Sequence, residues 1–209
     1  MARRAILPVG RDERGDLMSI NTIRERLSAY QPRSVEGPGY ARAAVAIVLR
    51  DGVAGSEFIV IQRSQRDNDP WSGHMALPGG RQAPSDGDLF MTAARETHEE
   101  VGVDLLHCSE LLGHLDDRRA GGGRLDLVIT PFVCALTAPV TLTPNHQEVA
   151  NALWVPLAAL GRPEAQGSYH ATPDGQTVTH EALVYQGHRI WGLTYRILRE
   201  LLAALGHNP

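Results

Sequence analysis

Cysteine is scarce in this 209-residue chain. Cys108 and Cys134 are the only two, in the apolar contexts Leu-Leu-His-Cys and Phe-Val-Cys-Ala, and they share no metal-ligand spacing. Reduced, buried thiols are therefore expected rather than a metal centre built on sulfur. An excess of positive charge is also lacking: 20 Lys and Arg stand against 24 Asp and Glu, a formal net charge of -4. Without a global positive field nothing holds a polyanion, so no nucleic-acid partner is expected. Long apolar runs are missing too. The longest aliphatic run is Ala43 to Leu49, far short of the roughly 20 residues that cross a bilayer. The basic opening Met-Ala-Arg-Arg-Ala-Ile-Leu-Pro leads into no apolar stretch of the kind a secretory signal needs. A cytoplasmic protein with no membrane association is the resulting expectation. Internal repeats and low-complexity tracts are absent.

What is present is a globular composition, 43% hydrophobic and 21% charged, with length for one good-sized core. Residues 1–35 read as a polar arm followed by a short helix, in which Ile20, Ile23 and Leu27 recur at helical spacing before Pro32. Residues 36–205 read as the main domain. Within it, Arg42–Arg50 and Phe58–Ile61 flank turn residues and predict a hairpin. Met75–Leu77 predicts a short strand ahead of Pro78-Gly79-Gly80, and Asp88–Val101 a helix ended by Gly102. Leu111–Leu115 and Leu125–Leu136 predict strands on either side of Gly121-Gly122-Gly123. Leu153–Val155 predicts another strand, Thr177–Tyr185 a hairpin, and residues from about Gly192 to Leu205 a closing helix.

One stretch carries chemistry: Gly79-Gly80-Arg81, then Arg95-Glu96-Thr97-His98-Glu99-Glu100-Val101-Gly102-Val103. On a helix, Glu96, Glu99 and Glu100 stand at i, i+3 and i+4, so three like charges share one face and repel. Two readings of the cluster stand on spacing alone. It is either a site for a hard, oxygen-preferring cation such as Mg²⁺ or Mn²⁺, or a solvated acidic face balanced by Arg95.

The same stretch resembles the Nudix box, G-x5-E-x7-R-E-U-x-E-E-x-G-U with U apolar. Arg95, Glu96, Glu99, Glu100, Gly102 and Val103 fall on their positions without a gap, and Thr97 replaces the first U. The front half departs from the pattern. Gly87 stands where the acid is expected, and Gly80 lies fifteen positions before Arg95 instead of fourteen. One inserted residue restores the fit, with Asp86 or Asp88 as the displaced acid. A narrower resemblance is to the coenzyme A diphosphatase branch of the family, carried by Arg63-Ser64, Gly73, Leu77-Pro78-Gly79-Gly80-Arg81, Asp86, and Ile190-Trp191-Gly192-Leu193-Thr194. Two positions depart from that branch: Ala83 replaces a further Asp, and Asp67 to Trp71 holds no basic residue.

The resemblance implies an α+β fold, a Nudix-type α/β/α sandwich with a mixed β-sheet and the box as loop-helix-loop. It implies a pyrophosphohydrolase that uses Mg²⁺ or Mn²⁺ and attacks a phosphorus of a nucleoside diphosphate derivative with water. By transfer, Glu96, Glu99, Glu100 and the carbonyl of Gly80 hold the metal, and Arg95 ties loop to helix. The general base is Glu148 or Glu96. Arg63, Arg81 and Trp191 contact substrate, with Arg118 and Arg119 as further cationic candidates. The implied small-molecule partner is coenzyme A, cleaved to 3′,5′-ADP and 4′-phosphopantetheine. Another nucleoside diphosphate derivative (ADP-ribose, NADH, a dinucleoside polyphosphate or a nucleoside triphosphate) and a non-catalytic binding module are the alternatives. A homodimer is an open expectation.

Overall fold

The structure, a computed structural model, describes residues 18–37, 39–53, 55–67, 69, 71–120, 126–172 and 177–207. Most of the expected arm and the whole of Gly121–Gly123 lie outside the described residues. Two compact units emerge, each assembled from separated stretches of chain. One takes the described parts of Met1–Tyr30, Asp51–Glu57 and Val155–Pro209, the other Gln31–Arg50 and Phe58–Trp154. No linker marks a boundary in the sequence because the chain passes between the units several times.

In the first unit, α1 (Ile20–Ser28) begins at Ser19, whose side chain accepts the Thr22 N–H, and buries Ile20, Ile23 and Leu27. The helix is held at its start by the Ile20 N–H, which donates to Asp51 Oδ1 at 3.1 Å.

The second unit carries an eight-stranded mixed sheet. Its first strands are β1 (Ala41–Gly52), β2 (Gly55–Arg63), β3 (Met75–Ala76) and β4 (Gly79–Arg81). After helices α2 (Leu89–Val101) and α3 (Leu105–Cys108) come β5 (Ser109–His114), β6 (Arg118–Arg119), β7 (Leu127–Leu136) and β8 (Val149–Pro156). The strands run β3-β2-β1-β7-β5, with β4 on β1, β6 on β7 and β8 on β2. β7 pairs with β1 in parallel from Ala41 opposite Leu127 to Leu49 opposite Ala135. β4 joins β1 antiparallel, with Ala44 opposite Gly80 and Val45 opposite Gly79. Returning to the first unit, β9 (Gln166–Ala171), β10 (Val178–Tyr185) and β11 (His188–Trp191) form an antiparallel sheet against which α4 (Gly192–Ala204) packs.

The helix carrying the three glutamates forms where its spacing predicts. Asp88 caps it by accepting the Met91 N–H at 2.8 Å, and Gly102 ends it in the left-handed conformation at φ 73°. Ala93, Ala94 and Val101 pack on Ala44, Ala46, Val48, Ile59 and Phe132. Alternate β1 residues thus face α2, and small alanines let helix and strand approach closely. Thr97, the departure at an apolar position, is fully buried and donates its hydroxyl to the Ala93 carbonyl at 2.7 Å. That bond is what lets a polar residue replace an apolar one there. Cys134 is buried in the same core, where desolvation pushes its thiol up to about 12, while Cys108 is only half-buried and its thiol is also raised by burial.

β4 escapes sequence reading, since three residues show no alternation. Its geometry depends on Gly79, at φ 151°, where a Cβ would lie 2.3 Å from the Ala44 carbonyl oxygen and 2.6 Å from Val45 Cα. Both obstacles are backbone and cannot swing aside. Gly79→Ala is therefore expected to destabilise the protein by at least about 2 kcal/mol in chemical denaturation.

Candidate functional site

The site is built where β4 meets α2, within the second unit. Its organising side chain is Arg95. All five of its N–H donors are engaged: Nε and Nη2 grip the two oxygens of Asp86, each at 3.0 Å. Nη2 also donates to the Arg81 carbonyl at 3.1 Å, and Nη1 donates to Glu96 Oε1 at 2.8 Å and Glu99 Oε2 at 3.1 Å. Asp86 is fixed in turn by the Ala83 N–H and the Thr92 hydroxyl. These bonds, the Arg95 pair foremost, hold its carboxyl well below the usual carboxylate range. The spacing anomaly of the box is thereby resolved. Asp86 is the acid that pairs with the arginine, Asp88 is the helix cap, and the additional residue lies between Asp86 and Arg95.

The three glutamates are unequal. Glu99 is half exposed, Glu96 is mostly covered, and Glu100 is buried at 3% exposure. Glu100 Oε2 accepts the Gly79 N–H at 2.9 Å. Burial pushes this carboxyl up to about 8, and the negative charges of Glu96 and Glu148 add to the shift against the opposing Gly79 bond and the Arg63 charge. Glu96 is also raised, first by burial, with Arg95 opposing and Glu99 and Glu148 reinforcing. Gly80 is dictated by proximity: a Cβ there would lie 2.3 Å from the Glu96 carboxyl carbon. The loop backbone lies directly against a box carboxylate.

Among the described residues no three His, Cys, Asp or Glu side chains are drawn together tightly enough to hold a metal ion as they stand. Arg95 pairs with both Glu96 and Glu99. Glu100 forms no ion pair with a described residue. The donor set fits a hard divalent cation in its chemistry: carboxylates and a backbone carbonyl, an acid whose burial favours its protonated form, and a glycine that clears the space.

Around this core stand the other expected residues. Glu148, ahead of β8 and partly exposed, accepts from Arg66 Nη2 at 3.1 Å. Arg66 also donates to the Gln147 carbonyl. Arg63, at the end of β2, donates from Nη2 to Asp69 Oδ2 at 2.7 Å, and its Nε is buried with no hydrogen-bond partner among the described residues. Arg81 is exposed on β4. Arg119 is engaged by Tyr40, donating to its hydroxyl at 2.6 Å. Trp191 belongs to the other unit, where it stacks on Tyr169 with ring centroids 3.9 Å apart. Trp154 lies under the Arg50 guanidinium, and Trp71 is 50% exposed, so it is not a core residue. Arg66, Asp69 and Thr92 carried no sequence signal, because loop closure and not periodicity brings them to their partners.

Known proteins match this arrangement. The NUDIX domain family covers residues 39–174. The chain belongs to the Nudix family. It is 32% identical over 183 residues to the human mitochondrial coenzyme A diphosphatase NUDT8, covering 81% of this chain and 72% of that protein. It is 38% identical over 160 residues to the uncharacterized protein C14C4.10c of Schizosaccharomyces pombe, covering 67% of this chain but only 49% of that relative's length. In fold, a MutT/nudix family protein from Enterococcus faecalis aligns over 89% of this chain and 68% of its own, with a TM-score of 0.51 at 16% identity. The α+β architecture with a mixed sheet is that of the Nudix fold, and the chain is a Nudix hydrolase. Nudix hydrolases generally use divalent metal ions. Among the described residues no helix is long and apolar enough to cross a membrane.

The weakened acidity of Glu100 has a stability consequence with a definite sign. Ordinary carboxyls near 4.5 ionise in the unfolded chain while Glu100 keeps its proton to about 8. Metal-free protein is therefore expected to lose stability as pH rises from about 4.5 through about 8, by up to about 5 kcal/mol from this group. Denaturant unfolding in EDTA across that window should show the decline, and Glu100→Gln should flatten it.

Proposed function

We propose that this Nudix hydrolase cleaves the diphosphate linkage of coenzyme A or its derivatives to 3′,5′-ADP and 4′-phosphopantetheine, with Mg²⁺ or Mn²⁺ as cofactor. The likeness to a coenzyme A diphosphatase over four-fifths of the chain carries this reading. The intact box supports catalysis over a binding role, since Glu96, Glu99 and Glu100 are all present on one helix.

In this reading Glu96, Glu99 and Glu100, with the Gly80 carbonyl, hold the cation. A divalent ion there neutralises charge on the diphosphate oxygens and renders a water nucleophilic. Arg95 does not touch substrate. It fixes Glu96 and Glu99 on the helix to the Arg81 carbonyl and Asp86 of the loop. Glu148 accepts the proton of the attacking water on a carboxylate oxygen as water adds to phosphorus and the bridging phosphorus–oxygen bond breaks. Glu96 is the alternative base; each of the two carboxylates already accepts from an arginine, Glu96 from Arg95 and Glu148 from Arg66. Arg63 and Arg81 supply cationic contacts to the phosphates. Trp191 is assigned to the substrate on the resemblance of its segment, and the working compartment is the cytoplasm.

Purified protein with Mn²⁺ or Mg²⁺ is expected to release 3′,5′-ADP from coenzyme A, measured by chromatography, and EDTA to abolish it. Glu100→Gln should lower kcat/KM by at least about a hundredfold while the circular dichroism spectrum is retained. Turnover of ADP-ribose, NADH or dinucleoside polyphosphates with none of coenzyme A would replace the substrate assignment.

A further inference from the structure

Arg63 stands out as a cation in an unusual state. Its Nε is desolvated and lacks a hydrogen-bond partner among the described residues, whereas buried polar groups are almost always paired. The guanidinium charge is one of those that act on the Glu100 carboxyl. Ile59 and Ile61 of β2 belong to the core beneath α2, and Arg63 continues that alternation on the same face. Among the described residues the side chain has one bonded partner, Asp69, at 2.7 Å.

Asp69 is itself fixed. Its second oxygen accepts the Trp71 N–H at 3.0 Å, and its carbonyl accepts the Ser72 N–H at 3.1 Å. The backbone on either side is closed by Arg63 N–H to the His74 carbonyl and Gly73 N–H to the Arg63 carbonyl. The bond from Arg63, foremost among its contacts, lowers the Asp69 carboxyl below its usual range. A long arginine side chain has many rotamers, and an anchored carboxylate removes most of them.

We propose that Asp69 is a positioning residue for Arg63, holding the guanidinium by one nitrogen so that its remaining N–H groups meet phosphate oxygens of the substrate. The assignment rests on the phosphate role given to Arg63 above. It explains why an acid occupies a stretch where a substrate-binding surface would favour a base: the negative charge orients an arginine that does the binding. The opposite role for Asp69, a competitor that occupies Arg63 and weakens anion binding, predicts the opposite sign.

Equilibrium binding of 3′,5′-ADP by calorimetry, alongside steady-state hydrolysis of coenzyme A, tests the pair. Asp69→Asn keeps an oxygen for the Trp71 N–H but loses the charge, and is expected to raise Kd about tenfold. In hydrolysis its KM should rise by more than its kcat falls. In an Arg63→Ala background the same substitution should change Kd less than twofold, because its effect passes through the arginine. Thermal unfolding of each variant excludes loss of fold, and Asp69→Ser replaces Asp69→Asn should the latter fail to fold. Tighter binding in Asp69→Asn, effects that add independently in the double variant, or no binding of 3′,5′-ADP by the unsubstituted protein would each overturn the proposal. Absence of coenzyme A turnover with the binding pattern intact would instead remove the functional reading and leave the Asp69–Arg63 coupling standing.

Discussion

Everything at the site depends on the Arg95 guanidinium. A planar fork with five donors reaches a loop carboxylate, a loop carbonyl and two helix carboxylates at once. No lysine offers that set of directions. Without the fork, Asp86, Glu96 and Glu99 would repel one another, and β4 would keep the Gly79 N–H bond to Glu100 as its polar tie to α2. Because the pairing is bidentate toward Asp86, it sets an orientation as well as a distance. The same pairing holds the Glu96 carboxyl against the Gly80 backbone, where a Cβ would meet it.

A second constraint is the burial of Glu100. The backbone N–H of Gly79 gives it one good hydrogen bond, but one bond does not replace hydration of a charge. The group answers by holding its proton. Two modes of compensation thus coexist along one helix: guanidinium pairing for Glu96 and Glu99, protonation for Glu100. A repulsive cluster is tolerated in the folded protein because two members share the Arg95 guanidinium and burial of the third favours its protonated form.

Legibility from sequence followed the range of the interactions. The helix of the box could be read to its caps because i, i+3, i+4 spacing, an Asp before the first turn and a Gly after the last are local features. β1, β2, β7 and α4 were legible from their apolar runs. β4 was not, being three residues held by pairing with β1. The choice between Asp86 and Asp88 could not be made from spacing, since both lie near the loop-helix junction and only the path of the chain assigns one to Arg95 and the other to the cap. The Arg63–Asp69 and Arg66–Glu148 contacts join a loop to itself or to a distant segment, and residue order carries no trace of them. The division into two units was hidden for a similar reason, each being gathered from separated stretches.

Gly87, between the acid that grips Arg95 and the acid that caps the helix, would meet no atom within 4 Å if it carried a Cβ. It marks a place where chain length is decoupled from chemistry: the carboxylates are set by hydrogen bonds on either side, and the connecting residue only has to span the gap. A fixed-spacing pattern treats the added residue as a defect in the motif. Physically it is slack in a joint that is fastened at both ends, so the added residue leaves the Asp86–Arg95 pair and the Asp88 cap undisturbed.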